Sequence, residues 1–324
     1  MVDPRVLAHA ASLIREGRLV AFPTETVYGL GANALDPVAV ARIFALKERP
    51  TFDPLIVHVC DPAEVPRLAW ADDPRVHRLM EAFWPGPLTL VLRRREVIPD
   101  LVCAGLPTVG VRMPAHPVAL GLIRESGCPI AAPSANKFGR VSPTRAEHVR
   151  RLLPGVDLVI DGGQTPVGLE STIVSLDELG FIILRPGVIT RDALERHVPA
   201  SPHRPPPGSA SAPGMLKSHY SPSKPLYLRG TEPPSLPRAR GGYLCAAGDA
   251  PRDYGHVVEL SPRGDLLEAA AGLFAALHEL EEADVDYLVA DPVEDVGVGA
   301  AIMDRLRKAA WRFRTPGGNA SPAS

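Results

Sequence analysis

Lysine and the side-chain amides are nearly missing from this chain of 324 residues, which has 30 arginines against five lysines (Lys47, Lys137, Lys217, Lys224 and Lys308). Asparagine occurs three times (Asn33, Asn136, Asn319) and glutamine once (Gln164), so each survivor is worth inspecting. Cysteine is equally sparse: Cys60, Cys103, Cys128 and Cys245 lie far apart with no C-x-x-C pair. That spacing speaks against a zinc ribbon or a disulfide framework. Aromatic residues make up 5% of the chain and the formal net charge is -2. A polybasic coat and a run of stacking platforms for nucleic acid are thereby excluded, while a local basic pocket is not. No uninterrupted apolar run approaches the roughly 18 residues of a membrane span. The opening Met1-Val2-Asp3-Pro4 carries no basic-then-apolar leader. The expectation is a cytoplasmic protein with no membrane partner.

Stock catalytic motifs are missing too. There is no G-x-x-x-x-G-K-[ST] phosphate loop, no G-x-G-x-x-G, no G-x-S-x-G elbow and no H-E-x-x-H. A P-loop ATPase, a dinucleotide dehydrogenase, an α/β-hydrolase and a zincin lose their main support.

What is abundant is proline, 36 residues where about 5% of a chain is usual. Eleven of them fall between Pro199 and Pro237, around Pro205-Pro206-Pro207 and Gly208-Ser209-Ala210-Ser211-Ala212. A segment so poor in backbone donors reads as an extended linker. Hydrophobic residues at 45% supply enough core for two domains. The expected organisation is a large domain over 1–200, a proline-rich linker over 201–224, a smaller domain over 225–312 and a disordered tail over 313–324.

Strands are expected at Leu19–Phe22, Leu55–Val59, Leu88–Leu92, Thr108–Met113, Pro129–Ala132, Leu158–Ile160, Thr172–Leu176 and Phe181–Leu184, with helices at Pro4–Glu16, Val38–Lys47, Val118–Glu125 and Arg145–Leu152 between them. The mixture predicts an α/β or α+β sheet domain. Beyond the linker, strands at Leu226–Leu228, Gly242–Cys245 and Asp286–Ala290 with helices at Leu266–Glu281 and Ala300–Ala310 predict a small Rossmann-like three-layer unit.

Polar residues cluster beside these strands. Thr24-Glu25-Thr26-Val27-Tyr28 follows the first strand, either lining a cleft or capping a helix. Lys47 and Arg49 precede Pro50 at a helix end, where two cations fit either a polyphosphate clamp or the helix dipole. Small residues around Ala132, Ser134 and Asn136 allow a ligand near the backbone and offer directional hydrogen bonds. Glu170-Ser171-Thr172 and Arg185-Pro186-Gly187 flank two later strands; Arg185 suits a phosphate or an exposed strand end. Glu25 reads as an ordinary surface carboxylate. Lys217, His219 and Tyr220 are unusual residues for a passive linker and suit a lid.

Taken in order, P-T-E-T-V-Y-G-L from Pro23, K-x-R-P from Lys47, S-x-N from Ser134, E-S-T-I from Glu170 and R-P-G from Arg185 resemble the YrdC family of threonylcarbamoyl-AMP synthases. The linker stretch P-G-M-x-x-x-H-Y-S-P from Pro213, and the further domain after it, resemble the larger two-domain form. The resemblance implies a twisted mixed α/β sheet with a large cavity. It implies condensation of L-threonine, bicarbonate or CO2, and ATP to threonylcarbamoyl-AMP with release of pyrophosphate. The product then passes to a transferase complex that modifies an adenosine of tRNA. On these positions the family implies that Thr24, His58, Arg112, Ala132, Ser171 and Thr172 meet L-threonine. Lys47 and Arg49 take the triphosphate and act in catalysis, and Thr108, Ser134, Asn136, Ser142, Arg185, His219 and Tyr220 complete the ATP site. Mg2+ is expected on the ATP phosphates rather than in a protein cage. The stretch Gly297–Arg305 matches the second domain of the family without an implied role.

Two rivals differ in class. An RNA-binding protein with a basic concave face would need the basic, aromatic surface that the composition lacks. A related ATP-dependent carbamoyl-transfer enzyme would carry zinc-finger and acylphosphatase-like segments upstream, whereas this chain starts about twenty residues before its first motif.

Overall fold

In a computed structural model, residues 2–204, 212–216, 219–231, 235–248, 250–311 and 313 are described. Pro205 to Ser211, Lys217 and nearly all of the expected tail lie outside them.

Proline starts helices here as well as filling the linker. The helices Pro4–Arg15, Pro37–Lys47 and Pro74–Phe83, and the 3-10 turn Pro62–Glu64, each begin with proline after an aspartate whose carboxylate accepts from backbone N–H groups of the first turn. His116 caps the helix Pro117–Ser126 in the same way. Proline at the first position gives up no intrahelical bond, and the cap satisfies donors that the helix cannot.

The first sheet contains β1 (Val20–Pro23), β2 (Tyr28–Asn33), β3 (Ile56–His58), β4 (Leu88–Arg93), β5 (Thr108–Arg112), β6 (Ile130–Ala131), β7 (Leu158–Val159), β8 (Thr172–Leu176) and β9 (Phe181–Arg185). Its strand order is β7-β1-β2-β6-β3-β5-β4-β8-β9. Strands β3 and β5 run parallel, as do β4 and β8, while β1/β2, β2/β6, β3/β6, β4/β5 and β8/β9 are antiparallel. The sheet is therefore mixed, as expected. The sequence pattern gave no strand at β2. Its glycines and buried tyrosine fold back on β1, with Pro23 opposite Tyr28, so that Thr24–Val27 forms the turn of a hairpin.

Alternation divides the sheet's two faces. Val57 and Val111 join the largest core cluster, whereas Ile56 belongs with Ile173 and Ala212 to a small cluster on the opposite side. A second core seats the packed helices Pro4–Arg15 and Pro117–Ser126 against Val20 and Phe22.

Strands β10 (Leu226–Leu228), β11 (Gly241–Cys245), β12 (His256–Glu259) and β13 (Tyr287–Ala290) form a second, all-parallel sheet in the order β10-β13-β11-β12. Leu226, Leu244 and Leu288 pack with both helices, Leu266–Glu282 and Val298–Trp311, in one cluster. The other face carries Tyr227, Tyr243, Tyr254 and Tyr287. The expected three layers are thus corrected to two among the described residues, because both helices cover the same face. No helix among the described residues is long and apolar enough to cross a membrane.

Candidate active site

A cavity lies over the face of the first sheet that bears Ile56. Its floor is His58 of β3, Arg112 of β5, Gly29 of β2 and Ala132 beyond β6; its roof is Pro213, Gly214, His219 and Tyr220 of the linker. Register explains the floor, since His58 pairs with Arg112 across β3 and β5 and both side chains fall on one face. The chain's polar clusters therefore gather over a sheet face rather than at strand ends alone.

One group of residues surrounds Arg112. Its Nη1 donates to Thr26 Oγ1 at 3.0 Å and its Nε to the Gly86 carbonyl at 3.2 Å. Its Nη2 is ion-paired with Glu25 Oε1 at 2.7 Å. Glu25 is only 7% exposed, which corrects the reading of a surface carboxylate; its other oxygen accepts from the backbone of Ala115. The hairpin turn is locked by Thr24, whose hydroxyl donates to the Val27 carbonyl at 2.7 Å and lies 2.7 Å from that of Thr26. Burial, with Arg112 nearby, pushes His58 down to about 3. His58 is accordingly neutral at physiological pH, and its Nδ1 has no partner.

A second group gathers the remaining cations. Arg49 is ion-paired with Asp53 at 2.9 Å and donates to the carbonyls of Asp53 and Pro54. Burial raises the Asp53 carboxyl, against the pull of Arg49 and Lys47. Arg185 donates to the carbonyl and hydroxyl oxygens of Ser171 and, at 3.3 Å, to the Pro213 carbonyl. His219 stands edge-on to Phe138 and Tyr220. Burial, then the charges of Arg49 and Lys47, holds it neutral. Tyr220 is buried at φ 58, a left-handed conformation uncommon for a bulky side chain, with its ring stacked on Phe274.

Ten of the residues singled out from sequence line this cavity: Thr24, Arg49, His58, Arg112, Ala132, Ser134, Ser171, Arg185, His219 and Tyr220. Five do not. Lys47 lies behind the wall, its ammonium donating to the carbonyls of Ser134, at 2.6 Å, and Asn136. Burial, followed by the Arg49 charge, depresses its pKa well below the usual lysine value. Asn136 braces the same loop by donating to the carbonyls of Lys137 and Arg140. Ser142 donates to Glu170 at 2.5 Å. Thr172 exchanges hydrogen bonds with the backbone of Ile189. Thr108 sits at the far end of β5 opposite Arg93, four residues or about 13 Å from Arg112, and the fold does not bring it to the cavity.

Thr26 and Glu170, which line the cavity, fell within the sequence clusters without a substrate assigned to either, and Asp53 behind Arg49 was passed over. The E-S-T-I stretch contained Glu170, yet its role depends on partners distant in sequence. Among the described residues no group of three or more His, Cys, Asp or Glu side chains is placed to hold a metal ion.

A family model described as "Telomere recombination", covering Sua5, YciO and YrdC, matches residues 12–187, and one for the C-terminal domain of threonylcarbamoyl-AMP synthase matches residues 189–311. A Bacillus subtilis protein named threonylcarbamoyl-AMP synthase is 43% identical over 95% of this chain and 93% of its own. A Pyrococcus abyssi protein of the same name is 43% identical over 93% of this chain and 92% of its own. The crystal structure of Pyrococcus abyssi Sua5 complexed with L-threonine superposes with a TM-score of 0.86 at 40% identity, over 96% of this chain and 95% of that one. The chain belongs to the YrdC family of threonylcarbamoyl-AMP synthases, in its larger, two-domain form.

Proposed function

We propose that the chain is an L-threonylcarbamoyladenylate synthase, a nucleotidyltransferase that joins L-threonine, bicarbonate or CO2, and ATP and releases pyrophosphate. The reading is carried by the convergence in one cavity of an Arg112–Thr26–His58 group and an Arg49–Arg185–His219–Tyr220 group. L-threonine suits the first, with Thr24, Ala132 and Ser171 beside it; Arg112 offers its carboxylate a guanidinium, and neutral His58 offers the amine a hydrogen-bond acceptor. ATP suits the second, with Ser134 in the wall and Lys47, Asn136 and Ser142 bracing that wall from behind. Thr172 shapes the loop beyond Ser171, and Thr108 carries no role in this proposal.

The threonine amine attacks CO2, forming an N–C bond and losing a proton to give a carbamate. The carbamate oxygen then attacks the α-phosphorus, and the bond to pyrophosphate breaks. Holding carbamate and phosphate in one cavity supplies orientation, and Arg49 and Arg185 supply positive charge for the departing phosphates. Mg2+ travels on the ATP phosphates, held mainly by substrate and water. Residues 1–200 form the catalytic domain, 201–224 a lid and 225–312 the C-terminal domain. The product passes in the cytoplasm to a tRNA threonylcarbamoyl-transferase complex. The RNA-binding and carbamoyl-transfer alternatives draw no support from relatives that carry the synthase name at this identity.

Pyrophosphate release from ATP, with L-threonine or bicarbonate omitted in turn, tests the reading. Release that requires both is expected; release indifferent to both overturns it.

A further inference from the structure

The helix Val298–Trp311 belongs to the second sheet's core, yet three of its groups reach the roof or wall of the cavity. Arg305, fully buried, donates from Nε to Glu170 Oε2 at 2.9 Å and from Nη1 to the Pro186 carbonyl at 2.9 Å. Its guanidinium lies over the Tyr220 ring, 5.1 Å from the centroid. Three residues on, Lys308 Nζ donates to the Gly214 carbonyl at 2.7 Å, and its own carbonyl accepts from His219 N–H at 3.5 Å. Asp304 pairs with both Arg305 and Lys308, so the cluster is held in register by one carboxylate on the same helix.

Glu170 is the reason this contact matters. Glu170 lines the cavity and is 6% exposed, at the end where the phosphates of ATP are proposed to lie. A bare carboxylate there would repel a polyphosphate through a medium that screens poorly. Burial pushes the Glu170 carboxyl up, but Arg305, Arg185 and the Ser142 hydroxyl outweigh that and keep it ionised. The negative charge is therefore present and needs a permanent counter-charge.

We infer that Arg305 is a positioning residue for the nucleotide: it neutralises Glu170 and seats Tyr220, so that the ATP end of the site is complete only with the C-terminal unit docked. The inference rests on the function proposed above and assigns that unit a task inside the reaction. Arginine suits the task better than lysine because one planar group serves the carboxylate, a carbonyl and the face of an aromatic ring at once.

The test uses the full chain and calorimetric titration of ATP and of L-threonine separately. Arg305→Met is expected to weaken ATP at least tenfold and L-threonine less than about twofold. Adding Glu170→Gln should recover most of the lost ATP affinity, because the unpaired carboxylate is then gone. A loss of structure alone would weaken both ligands together and would not be rescued. Should Arg305→Met fail to fold, Arg305→Lys, which keeps the charge but not the fork, is expected to show the same selective loss in smaller measure. Unchanged ATP affinity, equal loss of both ligands, or absence of rescue by Glu170→Gln overturns the inference while leaving the synthase reading intact. A wild-type chain that binds neither ligand overturns that reading, and this inference with it.

Discussion

Arg112 and Glu25 meet at 2.7 Å with side chains 4% and 9% exposed, beneath the hairpin turn that carries Thr24 and Thr26. Removing one member of a buried pair leaves the other charge uncompensated and costs about 3–5 kcal/mol. Glu25→Ala is expected to lower stability by that amount in urea unfolding and to weaken L-threonine binding. A loss below about 1 kcal/mol would show that the pair does not order the turn.

Lys47 makes its two hydrogen bonds to carbonyls of the loop that walls the cavity. Lys47→Met strands those carbonyls, at about 1–3 kcal/mol each, and loosens the backbone at Ser134. The expected result is loss of ATP affinity and of pyrophosphate release, with L-threonine binding retained. Unchanged turnover would refute the assignment.

Tyr220 gives a prediction that separates backbone from side chain. At φ 58, alanine bears a left-handed penalty that glycine escapes, about 1 kcal/mol. Tyr220→Gly should therefore be more stable than Tyr220→Ala, while both lose the ring over the cavity and weaken ATP alike. Equal stability of the two would argue against a left-handed residue at this position.

Acid should destabilise the protein before its carboxylates begin to protonate. Burial, as the largest cause, holds His58 and His148 down to about 3 and His278 to about 4. Unfolded histidines take up protons near pH 6.5. Between those limits the unfolded state binds more protons, so stability is full above about pH 6.5 and falls toward pH 4, by about 1.4 kcal/mol per unit for each histidine. The urea midpoint should drop between pH 7.5 and pH 5, and His278→Gln should flatten the slope. A midpoint independent of pH across this window would contradict the buried, neutral assignment.

Gly168 touches the second unit's helix. With φ 70, a Cβ there would lie 2.3 Å from the Ala271 carbonyl oxygen. Gly168→Ala is expected to force the helix Leu266–Glu282 away, raising proteolysis in the linker and weakening ATP. Wild-type protease resistance would show that this contact does not control docking.

Most strands, and helices such as Pro4–Arg15 and Pro117–Ser126, were legible because apolar periodicity specifies each locally, whereas the helix Pro74–Phe83 and the strand β12 drew no expectation. The strand β2 was not legible, because polar hairpin residues and glycines disguise it until its pairing with β1 is known. The site was legible where chemistry-bearing residues sat in short clusters, as at Thr24, Arg49, Ser134 and Arg185. Pairings across long separations were not. Nothing near Glu170 points to Arg305, 135 residues later, and nothing near Glu25 announces burial against Arg112. Thr108 failed for a simpler reason: it shares a strand with Arg112 but occupies the other end. The rarity of lysine and asparagine did lead to Lys47 and Asn136, although both brace the wall rather than line it.

The central claim is tested most directly by the mass of the nucleotide product formed from ATP, L-threonine and carbon-13 bicarbonate. The account predicts an adenylate that carries threonine and one labelled carbon, with one pyrophosphate released for each. Formation of ADP and phosphate, or of AMP without threonine or label, would contradict it.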